Sequence, residues 1–395
     1  MGESFLLFLI LILVVGIFTY EPFIFVLLYL FLGSFLASFW WLRNTVEKVE
    51  FTRKFPEKAF LGERIPVKLT LKNTSRLPAV YLQVEDQSPP ELSGAKLSQQ
   101  VLSLRGKQAG SVEYQLVAHK RGLYEIGPAT LTCGDLIGLV DEKKKQFPSQ
   151  AITVYPRILT LHQLGLPMQA PLGNLRHTNP IFEDPSQPIG KRGYFPGDPL
   201  KRVDWKATAS SGRLQTKTFQ PSINLNTYIF LDLDKRSYLD RNRYQANEFS
   251  VVVAASLANW VIQQKQSVGF VSNGLDPFSA EKSLHELPAQ NGQAQLMKIL
   301  ELLARIDAAE NTPLVPMIQQ SAGNFSWGAT LLIVTGKTDL ALFKALLPLK
   351  RSGLNPTILS CGYGKSEGAQ MAKAIRIPYF SLSHELEIEN LWSAA

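Results

Sequence analysis

The spacing of apolar and polar positions changes character several times along the chain. From Phe5 to Leu42 almost every position is apolar, and Glu21 is the single charge. A helix spans a bilayer with about twenty residues, so this stretch is too long for one span and fits two. "TYEP", Thr19 to Pro22, is the expected turn, because Pro starts a helix and cannot continue one. The first span, Phe5 to Phe18, is short. A cleaved signal peptide needs a positive start, and "MGES" supplies Glu3 instead. The pattern therefore predicts a transmembrane helical hairpin over residues 1–44.

From residue 45 to 157 the period falls to two. In "RIPVKLTLKN", Ile65, Val67, Leu69 and Leu71 alternate with Pro66, Lys68, Thr70 and Lys72, as in a half-buried strand. "AVYLQVED", "GSVEYQLVAH" and "ATLTCGD" continue the series between turn-forming Asn, Pro and Gly, which predicts a β-sandwich, Ig-like in the loose architectural sense. Residues 158–220 lose this regularity and are rich in Pro, Gly and Asn, reading as an irregular connector. Within it, "LKRVDW" would set Val203 and Trp205 on one face with Arg202 and Asp204 on the other, and "GRLQTKTF" alternates like a strand leading to the sheet. From 221 to 395 the grammar changes again. "NTYIFLDLD", "SVGFVSNG", "GATLLIVTG" and "NPTILSCG" read as buried strands, with "YQANEFSVVVAASLANWVIQQ", "GQAQLMKILELLARID" and "DLALFKALLPLKRSG" as helices between them. Such alternation predicts a parallel, Rossmann-like α/β sheet with helices on both faces. "HELEIENLWSAA" is a candidate closing helix.

Charge adds orientation. Trp40 and Trp41 sit where interfacial anchors belong, and Arg43, Lys48, Arg53 and Lys54 follow, marking the cytoplasmic side. A hairpin returns both its ends to that face, which places the soluble part in the cytoplasm. The net charge is +8, but its basic residues are scattered, with "EKKKQ" (Glu142–Gln146) as the cluster; it reads as a hairpin tip near an anionic membrane, not as a nucleic-acid site. Cys133 and Cys361 stand alone, outside any CxxC or Cys/His spacing. That fits a reducing compartment and disfavours disulfides and zinc.

Candidate chemistry is sparse. In an open α/β sheet, ligands bind beyond the carboxyl ends of the strands. "LDLDKRS" puts Asp232 and Asp234 there, two hard oxygen donors suited to Mg²⁺ or Ca²⁺. The alternative is that Asp234 caps the next element while Asp232 pairs with Arg or Lys. "CGYGKSEGAQ" (Cys361–Gln370) imitates a phosphate loop, yet Leu359 stands where its first Gly belongs. There is no GxSxG, and His119, His162, His177, His285 and His384 are dispersed, so the sequence points away from an enzyme.

The segment "RGYFPGDPLKRVDWKATA", followed by "TKTF" and "IFLDLD", resembles the signature of the bacterial domain of unknown function 58 family. Tyr194, Pro196, Gly197, Asp198, Arg202, Asp204, Trp205 and Lys206 carry the match, and "KRGLYEIGPATLTCGDLIGL" and "ITVYPRI" extend it upstream. The resemblance implies a membrane-anchored protein with a von Willebrand factor A-like domain that works with a MoxR-type AAA+ ATPase. It also implies a cation site of the form Asp-x-Ser-x-Ser with a distant Thr and a second Asp. Here Asp234 and Arg236 replace both serines, Thr312 is the candidate Thr, and Thr335-Gly336 stand where the late Asp is expected.

The combined expectation is a non-catalytic scaffold in the bacterial cytoplasmic membrane, in contact with lipid and other membrane proteins. The signature segment would join the sandwich to the α/β domain with Trp205 as a buried anchor, so that Trp205→Ala loosens the junction. Asp232→Ala would weaken partner capture with the fold intact. The competing readings are a metal-dependent enzyme using Asp232 and Asp234, and an extracytoplasmic adhesion-like receptor.

Overall fold

The computed structural model describes residues 2–94, 100–135, 140, 142–159, 183–196, 198–221, 226–278, 284–362 and 367–382. The chain divides into two units, residues 1–157 with 303–305, and residues 158–302 with 306–395.

The first unit opens with helices α1 (Gly2–Thr19) and α2 (Pro22–Val46), which turn at Tyr20 and Glu21 with Pro22 as the first residue of α2. Phe5 and Phe8 meet Phe31 edge-on, and Phe5 stacks on Phe35 at 5.7 Å, so the helices lie antiparallel. Among the described residues, α2 is the one helix long and apolar enough to cross a membrane; the apolar part of α1, Phe5–Thr19, is shorter. Most of both helices is exposed, but near the end of α2 Leu42, Thr45 and Val46 are buried. Leu42 and Val46 enter the core of the β-structure, and the Trp41 indole Nε1 donates to Pro78 O at 2.9 Å. Trp40 and Trp41 are both exposed, and the hydrogen bond to Pro78 distinguishes Trp41.

Among the described residues the strands that follow are β1 (Val49–Lys54), β2 (Lys58–Phe60), β3 (Arg64–Asn73), β4 (Ala79–Asp86), β5 (Leu92–Gly94), β6 (Gln100–Leu104), β7 (Ala109–Ala118), β8 (Gly122–Ile126), β9 (Ala129–Gly134), β10 (Lys143–Phe147) and β11 (Gln150–Tyr155). They form sheets in the orders β1-β3-β7-β5, β10-β9-β4-β6 and β2-β11-β8. Burial along β3 alternates strictly at first, and Ile65, Val67, Leu69 and Leu71 all face the core as their period predicted. A buried polar knot ties the sheets together. Arg53 of β1 grips Asp86 of β4 at 2.9 and 2.5 Å and donates to Ile126 O, while Tyr114 of β7 donates to Asp86 at 2.8 Å. An unpaired charge in that position would be costly, and bidentate geometry with added hydrogen bonds compensates it.

The second unit begins with a two-stranded ribbon, β12 (Glu183–Gly193) against β13 (Gln215–Pro221), closed by a 3₁₀ turn (Leu200–Arg202) and helix α3 (Trp205–Ser211). The described part of the expected irregular connector from Glu183 onward is therefore built of ribbon, turn and helix. Its first strand carries no apolar period for hydrophobic patterning to detect. β14 (Thr227–Leu231), α4 (Arg243–Gln263), β15 (Val268–Ser272), β16 (His285–Gln290), α5 (Gln293–Arg305), α6 (Leu314–Ser321), β17 (Thr330–Thr335), α7 (Leu340–Arg351), β18 (Asn355–Cys361), α8 (Glu367–Ala374) and β19 (Tyr379–Leu382) complete it. The sheet order is β16-β15-β14-β17-β18-β19, parallel except for the antiparallel edge strand β16. Every residue of β14 and β17 is buried, as in strands covered on both faces. Phe230, Leu331 and Ile333 pack with Met317, Phe343 and Leu346 of α6 and α7, and α4 lies against β14, β17 and β18. Gly353 follows α7 at φ 92°, the left-handed stop expected there. The segment 384–395, with its candidate helix, lies outside the described residues.

Candidate functional site

The carboxyl ends of β14, β15 and β17 converge on Asp232, which follows β14 and is fully buried. Its Oδ1 accepts from Asn273 Nδ2 at 3.0 Å and from the Asp234 amide at 3.1 Å, and its Oδ2 accepts from Thr335 Oγ1 at 2.8 Å. Asn273 returns a bond through its Oδ1, which accepts from the Leu233 amide at 2.6 Å, and its Nδ2 also reaches Thr312 O at 2.8 Å. The Tyr238 hydroxyl donates to Asp232 O at 2.6 Å, and burial holds that phenol well above its ordinary range. Asp232 is thus a hub joining three strand ends, and it pairs with neither Arg nor Lys.

Asp234 takes the other half of the alternative reading. It caps the 3₁₀ turn Lys235–Ser237 by accepting from the Arg236 amide. The Arg236 guanidinium closes on the same carboxyl, Nε at 2.9 Å and Nη2 at 2.6 Å, and Nη2 reaches Asn311 O at 2.8 Å. Thr312 contributes its carbonyl and not its hydroxyl to this network. Together these contacts do not fit Mg²⁺ or Ca²⁺. Both Asp232 oxygens are occupied, both Asp234 oxygens face a guanidinium, and a resident positive charge stands beside any cation position. Among the described residues, no three His, Cys, Asp or Glu side chains are grouped to hold a metal. Asn273 and Asn311 escaped the sequence reading because amides after strands carry no spacing signal; Thr335 was visible only as a replacement.

The signature residues gather at the closed end of the β12–β13 ribbon. Tyr194 N bonds Leu214 O, Asp204 N bonds Gln215 O, and Val203 bridges Thr216. Asp198 accepts from the Phe195 amide at 3.0 Å and from Arg192 Nη2 at 2.7 Å. Asp204 caps α3, accepting from the Lys206 and Ala207 amides, and meets Lys191 at 3.0 Å. The Arg192 and Lys191 hydrogen bonds hold these two carboxyls below the usual range. Arg202 closes the 3₁₀ turn, Pro196 is in the turn before Asp198, and Gly197 lies outside the described residues. Trp205 corrects its expectation. It is the first residue of α3 and is 67% exposed, so it is not a buried anchor, and it shares no face with the buried Val203. The cause is Asp204: capping turns the chain into a helix where a continuous strand was assumed.

The phosphate-loop imitation is divided. Cys361 ends β18, fully buried with its thiol pushed up to about 12, while 363–366 lie outside the described residues.

A family model described as "Protein of unknown function DUF58" matches residues 190–325, which take in both the ribbon tip and the Asp232 network. Over that segment the chain resembles the DUF58 family. It is 26% identical over 288 residues to the uncharacterized protein YeaD of Bacillus subtilis, covering 70% of this chain and 67% of that one. Among solved structures, the chain is similar to the CARDB domain of the PF1109 protein from Pyrococcus furiosus, at 15% identity and a TM-score of 0.21 over 27% of this chain and 86% of that one. It is also similar to Escherichia coli alpha-2-macroglobulin, at 22% identity and a TM-score of 0.23 over 28% of this chain and 7% of that one.

Proposed function

We propose that this protein is a membrane-anchored, non-catalytic scaffold in the bacterial cytoplasmic membrane. Its α/β unit is a von Willebrand A-like domain whose carboxyl-end face binds a MoxR-type AAA+ ATPase during maturation or remodelling of protein complexes. The sheet order, with its antiparallel edge and its paired aspartates after the first strand, supports the domain reading. The observation that carries the scaffold reading is the closure of the Asp232 network. Both carboxyl groups are spent on internal donors, which suits a rigid surface for recognition and leaves neither to act as base, nucleophile or metal ligand.

The apolar exposure of α2 supports the anchor, and the basic residues at its end support a cytoplasmic soluble part. Lys143 lies 5.4 Å over the Phe39 ring, and Lys145 Nζ caps Val49 O at 3.0 Å, so strand β10 brings its lysines to the end of the span. They form an edge strand there, where a hairpin tip was expected.

The test is co-isolation of the full-length protein from native membranes, comparing wild type with Lys235→Glu, an exposed change beside the network. A MoxR-type ATPase recovered with wild type and lost with the folded variant supports the reading. Equal recovery moves the contact off this face, and no ATPase with either protein overturns the partner.

A further inference from the structure

The ribbon tip combines two properties that are costly on a free surface. Phe195, Leu200, Trp205 and Leu214 are exposed at 66, 65, 67 and 42%. They fall within a residue or two of the backbone pairs Tyr194–Leu214 and Asp204–Gln215, or in the short turn between, so they belong to one small tip. Over residues 191–217 there are seven Lys and Arg against two Asp, a local net charge of +5 out of +8 for the whole chain. Both aspartates are turned inward as staples, with side chains 16 and 12% exposed, whereas Lys201, Lys206, Arg213 and Lys217 are exposed. The tip is therefore held in shape by its few acids and presents aromatic, aliphatic and cationic groups outward.

We propose that this tip is a lipid-binding element that inserts its aromatic and leucine side chains into the interface of an anionic bilayer, with its lysines and arginines on the headgroup phosphates. Exposed apolar groups ringed by one sign of charge mark an interaction surface. Trp and Phe favour the headgroup boundary, and basic residues are drawn to anionic lipid there. An acidic protein offers the same charge, but the pairing of exposed Phe, Trp and Leu side chains with cations suits a bilayer interface; the proposal rests on the membrane-anchored reading for access to one.

The experiment uses the full chain in phosphatidylcholine nanodiscs, mixed with separate vesicles at physiological ionic strength and floated on a gradient. Wild type is expected to float with vesicles containing about 30% phosphatidylglycerol and not with pure phosphatidylcholine. Phe195→Ser with Trp205→Ser, and separately Lys201→Glu with Arg213→Glu, are each expected to reduce flotation by roughly tenfold. Lys298→Glu with Lys344→Glu, exposed residues outside the tip, makes the same change in net charge and is expected to leave flotation unchanged. Failure of wild type to float, or tip variants that float like wild type, overturns the proposal; in the first case an acidic protein surface becomes the class to test. Alkaline extraction of native membranes reads the α1–α2 anchor separately, so a lost anchor and an inert tip give different results.

Discussion

Asp232 shows how much one buried side chain can organise. Its oxygens take bonds from Asn273, Thr335 and the Asp234 amide, and loss of the carboxyl leaves those donors unsatisfied in the interior. Each such group costs about 1–3 kcal/mol, so Asp232→Ala is expected to lower stability by about 3–5 kcal/mol, read as a fall in the denaturant midpoint. A midpoint within error of wild type would dissolve the hub. This reverses the expectation from sequence that Asp232→Ala spares the fold. At the ribbon tip the sign of pH dependence is set by Asp198 and Asp204, whose carboxyls lie below the ordinary 3.8. Their pairs with Arg192 and Lys191 hold above that value and are lost as pH falls through the depressed folded values. Amide exchange at Phe195 and Ala207, corrected for intrinsic rates, is expected to rise only in that acid window.

Elements with a strong period were legible; those defined by polar contacts were not. β3, β4, β7, β9, α4, α5 and α7 follow from spacing alone because one or both faces are buried. β16 was missed because "HELPAQ" alternates half-buried and exposed positions at a sheet edge, with Pro inside it. β13 was legible in the alternation of "GRLQTKTF", but β12 was missed because it is held by backbone pairing and ion pairs, which leave no apolar period. The same reasoning explains Trp205: a large aromatic in a polar segment reads as an anchor until the Asp204 cap starts a helix there. Asp204→Ala is expected to speed amide exchange throughout α3, by loss of its capping bonds. Trp205→Ala is expected to leave global stability within about 0.5 kcal/mol and proteolysis between residues 183 and 221 unchanged. A large loss with Trp205→Ala would return it to the core.

For the whole molecule, the candidate site was half legible: Asp232, Asp234 and Arg236 were found by their place after a strand, while Asn273 and Thr335, which lock Asp232, come from the ends of two strands distant in sequence. Burial gives the chain an alkaline limit. The Cys133 and Cys361 thiols are pushed up to about 11 and about 12 from an ordinary 9.0. Above that ordinary value the unfolded chain loses these protons while the folded chain keeps them, so stability is expected to fall as pH rises from about 9 toward 12, and both thiols should resist alkylation until unfolding. Orientation has its own check: a fluorescent-protein fusion at the carboxyl terminus should glow and a phosphatase fusion should stay inactive, with the opposite pattern placing the soluble part outside.

One junction has a mechanical meaning. Leu42 and Val46 lie in the sandwich core, Trp41 is pinned to Pro78, and Val49 opens β1 three residues beyond the end of α2. The helix is therefore a shaft keyed into the first unit and not a string tied to it. In a bilayer, a shaft tilts when membrane thickness departs from its apolar length. With no slack at the key, the tilt of a membrane-spanning α2 would become the lean of the sandwich itself, and the proposed anchor would convert a change in lipid composition into an angle.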